Sequence, residues 1–214
     1  MGIWLDAGNI NSRVTQNLVH NVSCNFGGIF MEVSFRPNIV DNNLVWNCSK
    51  NGIYQHDADS LLIVHNIVGK SKENGIMMRT NKGRKKDNGE FTTARHNQVL
   101  YNILVDNKNP FSYSDTLNIS DQNIISSSGS DSFDFQAWNK KGLDINSKLI
   151  NISASFDTSK LVFSIKTAGD LPAVQRLNFI GEDMTGRKHS DVVFPGSFRN
   201  TGTEKIQLAK YFRK

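Results

Sequence analysis

The sequence predicts an all-β chain: a right-handed parallel β-helix, or solenoid, with a C-terminal β-rich cap. Four glycine-led segments recur, Gly2-Ile3-Trp4-Leu5-Asp6, Gly28-Ile29-Phe30-Met31-Glu32, Gly52-Ile53-Tyr54-Gln55-His56 and Gly75-Ile76-Met77-Met78-Arg79, at spacings of 26, 24 and 23 residues. Each is followed by a short run closing on asparagine: Val14-Thr15-Gln16-Asn17, Val40-Asp41-Asn42-Asn43, Ile63-Val64-His65-Asn66 and Ala94-Arg95-His96-Asn97, with Asn123 continuing the row. A period in the twenties built from short β-like pieces is the signature of stacked coils. A β-sandwich is the competing all-β reading, but it gives no reason for two rows of elements to share their offsets.

The glycine-led row comes first in each coil. Alternation turns Ile3, Leu5, Ile29, Met31, Ile53, Ile76 and Met78 into the solenoid. The opposite face then carries two columns, Trp4, Phe30, Tyr54 and Met77, and beside it Asp6, Glu32, His56 and Arg79. Asparagine suits the next corner because its amide bonds backbone groups in turns and tolerates left-handed conformations. Residues 80–93 lengthen one coil to 31 residues, Asn66 to Asn97, and read as a polar loop. The coils occupy residues 1–130, where the pattern fades through Ser126-Ser127-Ser128-Gly129-Ser130. Residues 131–214 keep short β-like runs without the repeat and read as a cap, since an open solenoid end is an edge that aggregates. Gly2 already stands at a repeat position, so further N-terminal coils or a second copy of the chain would cover the opposite end.

Composition excludes several function classes. The 214 residues carry a net charge of +5, from 25 basic and 20 acidic residues. The one basic cluster, Lys82-Gly83-Arg84-Lys85-Lys86, is followed at once by Asp87 and Glu90, so no nucleic-acid partner is expected. No run approaches the ~20 apolar residues of a membrane span, and no membrane partner is expected. Cys24 and Cys48 fall on neighbouring repeats, as a bridge or as two thiols. No Ser-His-Asp constellation, phosphate-binding glycine loop or zinc signature is present.

The ionisable column carries the candidate chemistry. Equivalent positions on adjacent coils place Asp6 and Glu32 about 5 Å apart. Two like charges that close are unfavourable, so a structural role gives little reason for the pair. A retaining glycosidase needs one, its two carboxyl groups standing about 5–5.5 Å apart. His56 and Arg79 follow on the next coils, while Asp57 and Asp59 read as turn residues. The rings of Trp4, Phe30 and Tyr54 offer a stacking surface for sugars, or simply cross-strand pairs. Asp, Glu and His also suit a hard or borderline cation, but here they lie along a line and do not surround a point. Neither a metal nor another cofactor is expected.

Gly2-Ile3-Trp4-Leu5-Asp6, Phe30-Met31-Glu32-Val33-Ser34 and Asn38-Ile39-Val40-Asp41-Asn42-Asn43 resemble glycoside hydrolase family 120, the β-helix β-xylosidases. The likeness covers residues 2 to about 70 and continues weakly through Asn97-Gln98-Val99-Leu100-Tyr101-Asn102. Trp138 to Ser147 resembles a stretch near the ends of many β-helix carbohydrate enzymes. The resemblance implies Asp6 as nucleophile, Glu32 as acid/base, no cofactor, an oligo- or polysaccharide partner, and an extracellular or periplasmic location. After the glutamate the family reads Val-Asn-His-Gly-Pro, whereas this chain has Val33-Ser34-Phe35-Arg36-Pro37, replacing a sugar-contacting histidine and bringing Arg36 to the site. Trp4, Phe30, Tyr54, His56, Arg79 and Arg36 are therefore the expected substrate-binding residues. Two rivals stand beside a retaining exo-glycosidase-like hydrolase: a polysaccharide lyase or epimerase on an acidic glycan, and a truncated, non-catalytic glycan-binding β-helix.

Overall fold

The structure, a computed structural model, describes residues 1–127, 133–199 and 203–212. Three parallel sheets wind into a β-solenoid of about six turns. Sheet A stacks Ile3–Leu5, Gly27–Glu32, Asn51–His56, Asn74–Arg79 and Asn109–Tyr113. Sheet B stacks Arg13–Thr15, Asn38–Asp41, Leu61–Val64, Gln98–Leu100 and Ile119–Asp121. Sheet C stacks Leu18–His20, Leu44–Trp46, Ile67–Gly69, Ile103–Val105, Ile124–Ser126 and Lys148–Ile150. The glycine-led row is sheet A, in the expected register: Trp4 pairs Phe30, Phe30 pairs Tyr54, and Tyr54 pairs Met77.

The expected inward residues form one buried interior, with Ile29, Met31, Ile53 and Ile76 wholly buried. Gln55 breaks the apolar row between Met31 and Met78, its amide oxygen and nitrogen both buried without a hydrogen-bond partner. An unpaired buried polar group costs about 1–3 kcal/mol. Gln55→Met, matching its neighbours above and below, is therefore expected to raise stability by about 1–2 kcal/mol, read as a higher urea midpoint at unchanged slope.

Asparagines hold the corner between sheets B and C. Each sits after a residue in the left-handed region: Gln16, Asn42, His65, Tyr101 and Gln122 have φ between 52° and 59°. The amides of Asn17, Asn43, Asn66 and Asn102 donate in turn to the side-chain oxygens of Asn43, Asn66, Asn102 and Asn123 at 2.9–3.1 Å. Each of those oxygens also accepts the backbone N–H of the preceding asparagine. The row passes to Asp144, which accepts from Asn123 at 2.8 Å, from the Trp138 indole at 2.9 Å and from Ser147 at 2.6 Å.

The register corrects one expectation. Asn102, not Asn97, follows Asn66 in this row, so that coil spans 36 residues. Asn97 belongs to the corner between sheets A and B, where its oxygen accepts from Leu61 and its amide donates to Asn118. In this coil the A–B corner also sets a left-handed residue, His96 with φ of 58°, before an asparagine, so the two motifs read alike.

The proposed division at residue 130 lies outside the described residues. Beyond it, the helix Phe135–Asn139 places Trp138 against Phe111 and Tyr113 of the last sheet A strand, with ring centroids 5.8 and 4.9 Å away. The strands Ile152–Asp157, Val162–Thr167 and Thr203–Gln207 form an antiparallel sheet. Its Ile152, Phe163, Ile165 and Ile206 pack with Leu44, Trp46, Ile67, Ile103 and Val105, the outward side chains of sheet C. These contacts place this sheet along the flank of sheet C.

The flank also covers the B–C corner. Gln16 donates to the Asp183 carbonyl at 2.7 Å, and Gly196 N–H donates to the Tyr101 carbonyl at 2.8 Å. Beneath them His65 is wholly buried, its ring 5.1 Å from Tyr101 and 6.4 Å from His189. Burial, reinforced by His189, pushes His65 from 6.5 down to about 4. The fold holds it neutral, so its stabilising contribution is complete above pH 6.5 and is lost as pH falls towards 4. We expect about 3 kcal/mol of destabilisation over that window. His65→Asn, which matches Asn42 one coil earlier, should flatten the pH dependence of the urea midpoint.

Candidate functional site

The outer face of sheet A gathers the site at the C-terminal ends of its strands. Leu5 pairs Met31, and Gly8 N–H donates to the Val33 carbonyl at 3.0 Å. Asp6 and Glu32 therefore stand on neighbouring rungs, following Trp4 and Phe30 on the outward face. Asp6 is exposed; its carboxylate accepts the Ala7 N–H at 2.8 Å, and its carbonyl accepts from the Asn9 amide. Glu32 pairs His56 along the sheet, and His56 pairs Arg79.

The chain bends sharply after this row. Val33 has φ of 46° and Asp57 has φ of 55°. A β-branched residue in the left-handed region is an outlier of the sort found at functional sites. The bend turns Asp57 back beneath His56, where its carboxylate is wholly buried. One oxygen accepts the Asn81 N–H at 2.6 Å, and the other lies 3.5 Å from His56 Nε2.

Arg84 completes the cluster, and sequence reasoning missed it. Its Nη1 lies 3.1 Å from Glu32 Oε1 and 3.3 Å from Asp57 Oδ2. It arrives on the loop read as solvated surface; the signal available was a run of cations inserted beside an otherwise unbalanced His56-Asp57-Ala58-Asp59. Burial pushes the His56 imidazole below its ordinary value; Arg84 and Arg79 act in the same direction, against Asp57 and Glu32.

The aromatic column stacks as the register requires, with Trp4–Phe30 centroids at 6.0 Å and Phe30–Tyr54 at 5.0 Å. Stacking buries the inner rings: Phe30 is 1% and Tyr54 3% exposed, against 48% for Trp4. Phe26, absent from the sequence reading because it precedes the repeat, lies 4.9 Å from Phe30 and is 40% exposed. The rings open to a ligand are thus Trp4 and Phe26. Arg79 sits beside the Tyr54 hydroxyl, which burial pushes upward. Arg36 lines a cleft of about 620 Å³ between residues 8–10, Phe35 and the loop residues Lys86, Asp87 and Asn88. This cleft begins two to three residues beyond the two carboxylates and has the size of a small-ligand site.

Among the described residues, no cluster of His, Cys, Asp and Glu has the arrangement of a metal site. Cys24 and Cys48 are unbridged, and burial pushes the Cys48 thiol up to about 12. Comparisons with protein-family models, curated proteins and solved structures find no match to this chain.

Proposed function

We propose that this β-solenoid is a carbohydrate-active protein, a retaining exo-glycosidase-like hydrolase similar to the β-helix β-xylosidases. One observation supports it above the others: the sheet A register puts Asp6 and Glu32 on adjacent rungs, next to the exposed ring of Trp4. In the first step Asp6 bonds to the anomeric carbon as the glycosidic C–O bond breaks, and Glu32 gives its proton to the departing oxygen. In the second step Glu32 takes a proton from water, whose oxygen displaces Asp6 and releases the sugar. No cofactor enters either step. Trp4 and Phe26 offer ring faces to the sugar, while His56, Arg36 and Arg79 supply polar contacts. Action on oligosaccharides in an extracellular or periplasmic location accords with this reading.

Hydrolysis of a panel of aryl glycosides, lost in Asp6→Asn, tests it. No turnover by the wild-type chain on any member would contradict it. Arg36, Arg79, Arg84 and Lys86 on one side of the molecule favour a second reading, elimination or epimerisation on an acidic glycan. Ultraviolet absorbance from a new double bond identifies the elimination.

A further inference from the structure

The loop between the fourth strand of sheet A, Asn74–Arg79, and the sheet B strand Gln98–Leu100 is a built element. Lys85 and Phe91 form an antiparallel bridge, and Gly89, with φ of 84°, closes the turn. The Arg84 carbonyl accepts from Thr92 N–H at 3.0 Å and from the Thr92 hydroxyl at 3.2 Å. Two aspartates of the preceding coil hold its stems. Asp57 takes the Asn81 N–H on the outgoing side. Asp59 takes the Thr93 hydroxyl and, at 2.8 Å, the Arg95 N–H on the returning side. Lys86 adds a third anchor, 4.7 Å above the Phe35 ring and 3.9 Å from Asp59.

Arg84 is the anchor that reaches the proposed chemistry. A wholly buried carboxylate such as Asp57 needs a cationic partner, because an isolated buried charge is strongly disfavoured. Arg84 meets that need and contacts Glu32 with the same nitrogen. When Glu32 gains or loses a proton, Arg84 retains Asp57 as its partner and need not move. We propose that Arg84 is a positioning residue: clasped between Glu32 and Asp57, it docks the 80–93 loop over sheet A and fixes the Glu32 carboxylate for proton transfer. The catalytic consequence rests on the glycosidase reading; the docking does not.

The test uses the full chain and three variants, Arg84→Met, Arg84→Lys and Asp57→Asn, with amide exchange over residues 81–93 and NMR titration of His56. The groups facing the cluster are Glu32, Tyr54, His56 and Arg79 from sheet A, Asp57 from the bend that follows it, and Arg84 from the loop. Arg84→Met should speed exchange of the loop amides about tenfold and raise the His56 midpoint, because a cation that disfavours imidazolium is gone. Asp57→Asn should shift the same midpoint downward. Arg84→Lys, which keeps the charge but not the fork, should fall between wild type and Arg84→Met in loop exchange. On a turned-over glycoside, Arg84→Met should lower kcat by up to about 10²-fold with KM little changed, partly restored in Arg84→Lys. Unchanged loop exchange and an unmoved His56 midpoint in Arg84→Met would overturn the proposal, whatever the behaviour of Asp57→Asn. Shifts as stated in a chain that hydrolyses no glycoside would support the docking and overturn the hydrolase reading.

Discussion

Glu32→Gln is expected to lower kcat on an unactivated glycoside by about 10²–10⁴-fold, the usual contribution of a general acid–base group. The loss should be smaller for an aryl glycoside whose leaving group departs without protonation. Asp6→Ala should fail on both substrates, because it removes the atom that attacks the sugar in the proposed mechanism. Azide added to Asp6→Ala should restore turnover and give a glycosyl azide of inverted configuration, since the small anion attacks from the vacated side. The two variants thus separate the roles by leaving group and by rescue, as measured by steady-state kinetics. Equal losses on every leaving group in Glu32→Gln would remove it from the acid role.

Asn66→Ala is expected to be strongly destabilising, at roughly 3 kcal/mol or more. The Asn66 oxygen accepts two bonds from Asn43, and its amide donates to Val40, Val64 and Asn102. Truncation strands several wholly buried groups on three coils at once. Asn146→Ala removes an exposed amide bonded to Asp121 at 2.6 Å and should cost less than about 1 kcal/mol. Urea unfolding of the two variants measures the contrast, and equal midpoints would show that the buried row does not carry the solenoid.

Much of this architecture is legible in the sequence because a solenoid repeats its physical requirements. Inward residues recur as Ile29, Ile53 and Ile76, and left-handed corners recur as a residue before asparagine. The same economy misled at Asn97, where a second corner uses the same device. The lateral position of the C-terminal sheet also had a signal in sheet C. Leu44-Val45-Trp46 and Ile103-Leu104-Val105 are apolar at every position, as strands covered on both faces are. Strand register brings Asp6, Glu32, His56 and Arg79 into one neighbourhood and is readable from spacing. Arg84 is not, because an inserted loop has no repeat to fix where its side chains return. Burial of Phe30 and Tyr54 escaped for a related reason: their exposure depends on Phe26 and Trp4 lying against them, which alternation alone does not show.

The central claim is that the coil spacing makes Asp6 a nucleophile beside Glu32. Treating the chain with a panel of 2-deoxy-2-fluoroglycosyl fluorides, followed by intact mass and peptide mapping, tests it most directly. The account predicts one stable adduct on the peptide containing Asp6, absent in Asp6→Asn. An adduct on another residue, or no adduct from any sugar in the panel, would contradict it.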